Sequence, residues 1–194
     1  MSSKSAKPSL PDKDRGNPVN FGMTLMTQGV GTGLAFGLTY FGVESKLQSA
    51  SPVTIDNKTV SYALIGSVAL SLGFLASMVN KARVDYKVAW PNLMLPSDAK
   101  NANEYNAVQR AHGNFCEAAL LIVPMTLVVA DIAPATLLIM SQLWCWGKFG
   151  MSYMYAYSND TEHRFKMAWS YLPYFVIHGF VWLGLASKFG LLKL

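Results

Sequence analysis

The sequence predicts an all-α integral membrane protein: a four-helix transmembrane bundle preceded by an extra N-terminal apolar helix. Hydrophobic residues make up 52% of the 194 residues and charged residues only 14%, whereas charged residues are about 25% of a typical soluble domain. Apolar runs of helical length recur along the chain and leave no room for a separate soluble domain. The net charge of +5 comes mainly from clusters flanking these runs, a pattern that favours membrane orientation over nucleic-acid binding.

The first part of the chain, residues 1–58, is predicted to be an extension outside the bundle. Within it, residues 21–43 are apolar and rich in glycine. Gly29, Gly33 and Gly37 repeat at the four-residue spacing that lets membrane helices approach each other closely. We expect this segment to span the bilayer, and a helix lying at the membrane interface is the alternative.

Residues 59–194 are predicted to form the membrane domain, which a polar loop over residues 45–59 separates from the first helix. Its four apolar segments are the expected helices, and they run from about Ser61 to Val79, Asn106 to Ala130, Ala135 to Tyr157 and Ala168 to Lys188. Pro134 suits the first turn of the third of these helices, so the second and third form an antiparallel hairpin. Lys and Arg concentrate in the N-terminal tail, in the loop over residues 81–100 and in the connection over residues 158–166. Five membrane spans would bring these three segments to one side of the bilayer, and the positive-inside rule assigns that side to the cytosol.

A polar stripe interrupts the apolar surface of the second bundle helix. Arg110, Asn114 and Glu117 stand at i, i+4 and i+7 and therefore share one helix face. The apolar run that follows, Ala118–Ala130, is shorter than the roughly 20 residues of a span, so the helix must carry this stripe into the edge of the membrane. Ionisable groups at that depth are costly and usually functional; an Arg–Glu pair that only joins helices is the alternative.

A second polar stripe marks the end of the third bundle helix. Tyr153, Tyr157 and Arg164 are spaced to lie along one side of a continuing helix. An aromatic belt with a snorkelling arginine is the alternative interpretation. However, this stripe shares a membrane face with Arg83 and with the stripe around Arg110. Several arginines and one glutamate around a cleft favour a small ligand with several carboxylates and an ammonium group, because guanidinium binds carboxylate with two hydrogen bonds.

These residues resemble the MAPEG family, the membrane-associated proteins of eicosanoid and glutathione metabolism, and most of all its microsomal glutathione S-transferase type 3 branch. Three motifs carry the resemblance: Ala-Arg-Val-Asp-Tyr-Lys-Val-Ala-Trp-Pro at 82–91, Gln-Arg-Ala-His-Gly-Asn-Phe-Cys-Glu at 109–117, and the tyrosine pair followed by Arg164. They occur in order and at compatible spacing over about residues 61–188.

The resemblance implies a homotrimer of four-helix subunits that holds glutathione, as a co-substrate, in a cleft between neighbouring subunits. The glutathione-binding residues that it implies are Arg83, Arg110, His112, Asn114, Glu117, Tyr153 and Tyr157. It implies that Arg164 is catalytic, because a nearby cation stabilises a thiolate whose thiol has a free pKa of about 8.5. It also implies a lipophilic second substrate that arrives from the bilayer. The sequence has no motif with the spacing of a zinc site, so we expect no metal.

Four positions depart from the family pattern. Val84 replaces the second arginine of an Arg-Arg pair found in leukotriene C synthase, and Ala118 replaces an aromatic residue that follows the glutamate there. Gly150 stands where relatives carry an arginine, for which the nearby Lys148 is a candidate substitute. The proline expected three or four residues after the glutamate occurs only at position 124. These departures argue against a dedicated leukotriene synthase.

The resulting functional expectation is a membrane-bound glutathione S-transferase, with glutathione peroxidase activity on lipid hydroperoxides. We expect it in the endoplasmic reticulum or mitochondrial membrane, with the active-site face in the cytosol and without a nucleic-acid partner. Two alternatives stay open: a non-catalytic family member that holds a lipid, and a structural subunit of a larger membrane complex attached through residues 1–58.

Overall fold

The computed structural model describes residues 21–157 and 168–193, and its elements in that part of the chain are all helices. They are α1 (Phe21–Tyr40), α2 (Val43–Ala50), α3 (Asn57–Asp85), α4 (Ala102–Val129), α5 (Pro134–Tyr157) and α6 (Tyr171–Lys188), with a 3-10 turn at Ala168–Ser170 leading into α6. The all-α prediction is therefore confirmed for the described residues. Each apolar segment predicted from the sequence forms a helix, and Pro134 is the first residue of α5, as expected.

Two helices of the described chain, α3 and α4, are long and apolar enough to cross a bilayer. Only 39% of the most apolar stretch of α3 and 28% of that of α4 are buried within the chain. Most of their surface is therefore left for lipid or for another subunit. For α1, α5 and α6, crossing of the bilayer stays a prediction from the sequence.

The polar segment after α1 is not the loop that the sequence predicted. Gly42 takes a φ of 61°, in the left-handed region that glycine adopts most readily, and the chain turns there into α2. Gln48 in this helix exchanges two hydrogen bonds with Ile55: its Nε2 donates to the Ile55 carbonyl at 2.7 Å, and its Oε1 accepts from the Ile55 amide at 3.1 Å. These bonds stabilise a helix that is too short to be stable in isolation.

Glu44 in α2 joins the extension to the bundle. Its carboxylate accepts hydrogen bonds from the backbone amides of Ala135 and Thr136 and from the Thr136 hydroxyl, each at 2.9 Å. The first amides of a helix have no partner within it, and negative charge is favourable there. Burial by itself would raise the pKa of Glu44, but these bonds and one from Gln48 outweigh burial and hold the pKa below its ordinary value of 4.5.

Helices α1 and α6 cross in close contact through a pair of glycines. A Cβ placed on Gly31 would lie 2.7 Å from the carbonyl carbon of Phe175, and one placed on Gly179 would lie 2.7 Å from the carbonyl carbon of Gly31. Within the chain, the glycines that allow this close packing are Gly31 and Gly179, and contact of Gly29, Gly33 and Gly37 with another helix stays a prediction. A Cβ at Gly29, Gly33 or Gly37 would meet no atom within 4 Å, so that face of α1 is open.

The bundle is built from α3, α4 and α5, which pack pairwise, and from α6, which packs on α4 and α5. Phe115 and Trp144 are buried at the α4–α5 contact, with ring centroids 5.9 Å apart. Asn57 at the start of α3 donates to Asp131 in the turn between α4 and α5 at 2.6 Å, so successive helices alternate in direction. The C-terminal ends of α3 and α5 and the N-terminal end of α4 therefore lie at one end of the molecule, which we call the Arg83 end.

Candidate functional site

The polar stripe of α4 lies on the outer surface of the chain. Arg110, Asn114 and Glu117 are all exposed, whereas Val108 and Phe115 on the opposite face are buried in the core. Among the described residues, Arg110 and Glu117 form no ion pair within the chain; the ion pair recorded there joins Lys81 to Asp85. Within the described residues, the charged groups of the stripe therefore do not join helices of one chain.

Arg83 occupies a different environment, beneath the loop that follows α3. Its side chain is only 6% exposed, and its guanidinium carbon lies 4.1 Å from the ring centroid of Trp90 and 5.9 Å from that of Tyr105. Its Nη2 donates to the Asn92 carbonyl at 2.8 Å, while its Nε and Nη1 are buried without a hydrogen-bond partner among the described residues. A buried cation with unused donors is costly, so this arginine is well suited to receive an anionic group.

The loop over Arg83 is fastened to α4 by one side chain. The Oδ1 of Asn106 accepts from the backbone amide of Leu95, and its Nδ2 donates to the Leu95 carbonyl, both at 2.8 Å. This two-way bond fixes the second half of the loop at the Arg83 end. The Trp90 side chain, 74% exposed, covers Arg83 from the solvent side.

Tyr153 and Tyr157 lie near the end of α5 on the face towards α3. Their ring centroids are 4.9 Å apart, and that of Tyr153 lies 6.3 Å from the ring of Phe74 in α3. Both tyrosines are partly exposed. Beside them is an open apolar groove of about 460 Å³, whose lining consists of Leu70, Ser71, Phe74, Trp146, Phe149 and Tyr153.

A second groove, of about 310 Å³, lies on the other side of α5. It is lined by Ala111, Asn114, Lys148, Met151, Ser152, Tyr155 and Tyr171. From Lys148 to Tyr153, five residues of α-helix turn the side-chain direction by about 140°. Asn114 of the α4 stripe therefore borders one face of α5, and Tyr153 of the tyrosine pair borders the other. A single chain does not bring these two groups of predicted ligands together.

The remaining predicted site residues divide into two cases. His112 is half-buried, and its Nε2 lies 3.7 Å from the Sγ of Cys116. Since it is two positions from Arg110 and from Asn114, it faces another side of α4 than the stripe. Arg164 lies outside the described residues.

Lys148 and Trp90 border the site but were not among the predicted ligands. In the sequence, Lys148 stands two residues before Gly150, where relatives carry an arginine, and it is a candidate substitute for that arginine. Trp90 lies within the first recognised motif, yet no feature of the sequence indicates that its ring covers Arg83.

Comparison with known proteins identifies the family of this chain. A model of the MAPEG family matches residues 61–186, a range that contains most of α3 and α6, the whole of α4 and α5, and the stripe around Arg110. No solved structure matches the chain. The matched range leaves α1 and α2 outside it, in agreement with the extent of the resemblance seen in the motifs. The chain belongs to the MAPEG family.

Proposed function

We propose that this protein is a membrane-bound glutathione S-transferase, closest to the microsomal type 3 branch of its family. It conjugates glutathione to lipophilic electrophiles and reduces lipid hydroperoxides with glutathione. The observation that carries the proposal is the exposed stripe of Arg110, Asn114 and Glu117 on α4, a helix apolar enough to cross a bilayer.

The position of the stripe supports a covered, ligand-binding site. Charged side chains facing lipid are strongly unfavourable, and within membranes they face protein or a water-filled cavity. In the described chain nothing pairs with Arg110 or Glu117. A second subunit, together with a ligand that carries carboxylates and an ammonium group, would supply both the cover and the partners.

A homotrimer accounts for the separation of the two ligand groups. Each subunit of a closed ring presents one surface to one neighbour and a different surface to the other. The α4 stripe of one subunit would then meet Tyr153 and Tyr157 of the next, and glutathione would lie between them. In one chain the α4 stripe and the two tyrosines lie on different faces. In this arrangement, two neighbouring chains bring them together around one ligand.

Within this cleft the residues take different roles. Arg110 and Arg83 bind the carboxylates of glutathione, Glu117 binds its ammonium group, and Asn114 completes the polar lining, whereas His112 faces another side of α4 and lies outside this lining. Arg164 stabilises the thiolate, the nucleophile of the reaction. The lipophilic substrate enters from the bilayer through the apolar groove beside Tyr153.

We further propose that the protein resides in the endoplasmic reticulum or mitochondrial membrane with its Arg83 end on the cytosolic side. The basic residues of the loop over 81–100 support this orientation, because short cytosolic loops carry an excess of Lys and Arg.

The test is glutathione binding by the protein purified in detergent, measured by calorimetry together with conjugation of a generic electrophile. We expect Arg110→Ala and Glu117→Gln each to weaken binding by roughly one to two decades, since a charge-assisted hydrogen bond contributes about 1.5–3 kcal/mol. Lys46→Ala removes an exposed charge from α2, at the opposite end of the bundle, and should bind glutathione as the parent does. Equal affinity of all four proteins, or no binding by an intact parent trimer, would overturn the proposal.

A structural role in a larger membrane complex is the second candidate function. The open face of α1 at Gly29, Gly33 and Gly37 favours it, because small residues at this spacing commonly contact another membrane helix. Co-purification with other chains at fixed stoichiometry, lost on Gly33→Leu, would support this role over the enzyme.

A further inference from the structure

We propose that a groove between the C-terminal ends of α4 and α6 binds a membrane phospholipid whose headgroup carries a phosphate and a primary ammonium group. Lys188 binds the phosphate, and Asp131 binds the ammonium group. The groove lies at the end of the bundle opposite the Arg83 end, so this site is separate from the proposed glutathione cleft and does not depend on it.

The groove has the volume and the position of a site for a lipid headgroup. Its volume is about 510 Å³, within the usual range of small-molecule sites. Asp131 lies in the turn that follows α4, and Lys188 is the last residue of α6. Because α4 is apolar enough to cross a bilayer, the groove lies where this helix leaves the hydrocarbon core, which is the depth of the headgroups.

The polarity of the lining changes along the groove in the direction that a phospholipid requires. Asp131, Ser187 and Lys188 form its polar outer end. Val181 precedes Lys188 by seven residues on α6 and therefore lies about 10 Å deeper in the membrane. Val128, in the last turn of α4, also lies on the membrane side of Asp131 and is 78% exposed. A lipid with its headgroup at the polar end would place its acyl chains along these valines.

The groove presents one negative and one positive side chain that do not bind each other. Asp131 and Lys188 both line it, and they form no ion pair within the described residues. The Oδ1 of Asp131 accepts a hydrogen bond from the Nδ2 of Asn57 at 2.6 Å, which orients the carboxylate. A phosphate and an ammonium group joined by a short linker would bind both side chains with charge-assisted hydrogen bonds and add no net charge.

These two charges discriminate among phospholipid headgroups. A headgroup with a phosphate and a neutral alcohol would pair with Lys188 but would bring unbalanced negative charge near Asp131, which is repulsive. A quaternary ammonium group has the right charge but no N–H to donate to the carboxylate. The ethanolamine headgroup supplies both the phosphate and the N–H donors, so phosphatidylethanolamine is the phospholipid that fits this groove.

Gly184 keeps the groove open. It lines the groove on α6, and a Cβ placed on it would lie 3.0 Å from the Cδ1 of Ile132 and 3.7 Å from the Cγ1 of Val129. A larger side chain at this position would therefore fill the space between the two helix ends. The nearest atom is the end of a flexible side chain, so the fold can accommodate such a change while the groove is lost.

Lipid binding by the purified full-length protein tests the site. The protein in detergent is mixed with phosphatidylethanolamine, phosphatidylcholine or phosphatidylglycerol, each with two oleoyl chains, and bound lipid is measured by native mass spectrometry. The parent should bind phosphatidylethanolamine roughly 10-fold more tightly than either other lipid, since each of these lacks one charge-assisted hydrogen bond. The soluble headgroup glycerophosphoethanolamine should not displace the lipid at equal concentration, because it has no acyl chains.

Three variants separate the parts of the site. Lys188→Gln should weaken binding of all three phospholipids roughly 10-fold, because each of them carries a phosphate. Asp131→Asn should remove the preference for phosphatidylethanolamine over phosphatidylcholine, and Gly184→Leu should bind none of the three above background. Lys46→Gln removes an exposed lysine from α2, at the same end of the bundle but outside the groove, and should bind lipid as the parent does.

Two results would overturn the proposal. If the parent binds the three lipids equally, and Lys188→Gln and Gly184→Leu bind them as the parent does, the groove holds only the lipid that surrounds any membrane protein. If Gly184→Leu instead lowers the mass of the assembled protein while lipid binding stays at the parental level, the groove is a contact between copies of the chain.

Discussion

The Glu44 carboxylate makes three hydrogen bonds to the N-terminus of α5 and one to Gln48. Replacing it by glutamine removes the negative charge and leaves only one acceptor oxygen for the Ala135 and Thr136 amides. We expect Glu44→Gln to lower the free energy of unfolding by about 1–2 kcal/mol, the usual cost of losing a helix cap and its charge. Thermal unfolding in detergent measures this loss.

The same residue predicts a pH dependence with a defined sign. Because the pKa of Glu44 is lower in the folded chain than in the unfolded one, its stabilisation is complete above the unfolded value of about 4.5 and is lost as the pH falls through the folded value. The difference in Tm between parent and Glu44→Gln should therefore narrow as the solution is acidified. Glu104→Gln, which alters a carboxyl without a hydrogen bond in the described chain, is the control. A Tm difference that stays constant at every pH would contradict the cap.

Arg164→Ala should separate binding from catalysis. The role of this residue rests on the family resemblance, since it lies outside the described part of the chain. If it stabilises the thiolate, the variant should still bind glutathione, while the pKa of the bound thiol climbs towards about 8.5 and turnover at neutral pH falls. Titration of the thiolate absorbance of bound glutathione checks this; equal midpoints in parent and variant would rule out the catalytic role.

Single residues differ in how well the sequence predicts them. The shared face of Arg110, Asn114 and Glu117 follows from helical spacing alone, and in the structure all three are exposed together. The covering of Arg83 by Trp90 could not be predicted, because it depends on the path of a loop without periodicity. Spacing also could not indicate that Tyr153 lies on the opposite side of α5 from the groove lined by Asn114 and Lys148, since that depends on how three helices pack.

At the scale of elements, long apolar runs could be predicted and short polar ones could not. Helices α3 to α6 follow from hydropathy and from Pro134 at the start of α5. Helix α2 was missed because its stability comes from tertiary hydrogen bonds of Glu44 and Gln48 with distant residues. The glycine spacing on α1 predicted close packing of this helix. The sequence alone could not indicate which glycine would contact α6, because that depends on the position of Gly179 on α6.

The crossing of α1 and α6 gives a prediction with a matched control. Gly31→Val places side-chain atoms against the backbone of Phe175, so we expect a loss of about 1–3 kcal/mol in unfolding free energy. Gly33→Val makes the same change on the open face of the same helix and should shift stability by no more than about 0.5 kcal/mol. Equal destabilisation by both variants would mean that helix propensity, and not the crossing, decides the result.

At the scale of the whole molecule, a MAPEG-type membrane protein could be predicted from three motifs, and the family match bears this out. The assembly that completes the site is a proposal that no single chain can test. We expect the purified protein to have the mass of a trimer, measured by native mass spectrometry in detergent, and a stable monomer that binds glutathione would contradict the shared cleft.

The placement of the α4 stripe and of the α5 tyrosines on different faces also has a genetic consequence. In the proposed homotrimer, a subunit carrying Glu117→Gln and a subunit carrying Tyr153→Ala should each give strongly impaired homogeneous trimers, with the defect on opposite sides of the cleft. In a closed ring of three, every mixed trimer rebuilds one intact cleft from the sound α4 of one chain and the sound α5 of its neighbour. Co-expression of the two impaired alleles should therefore restore activity by complementation, whereas a chain carrying both changes should rescue nothing.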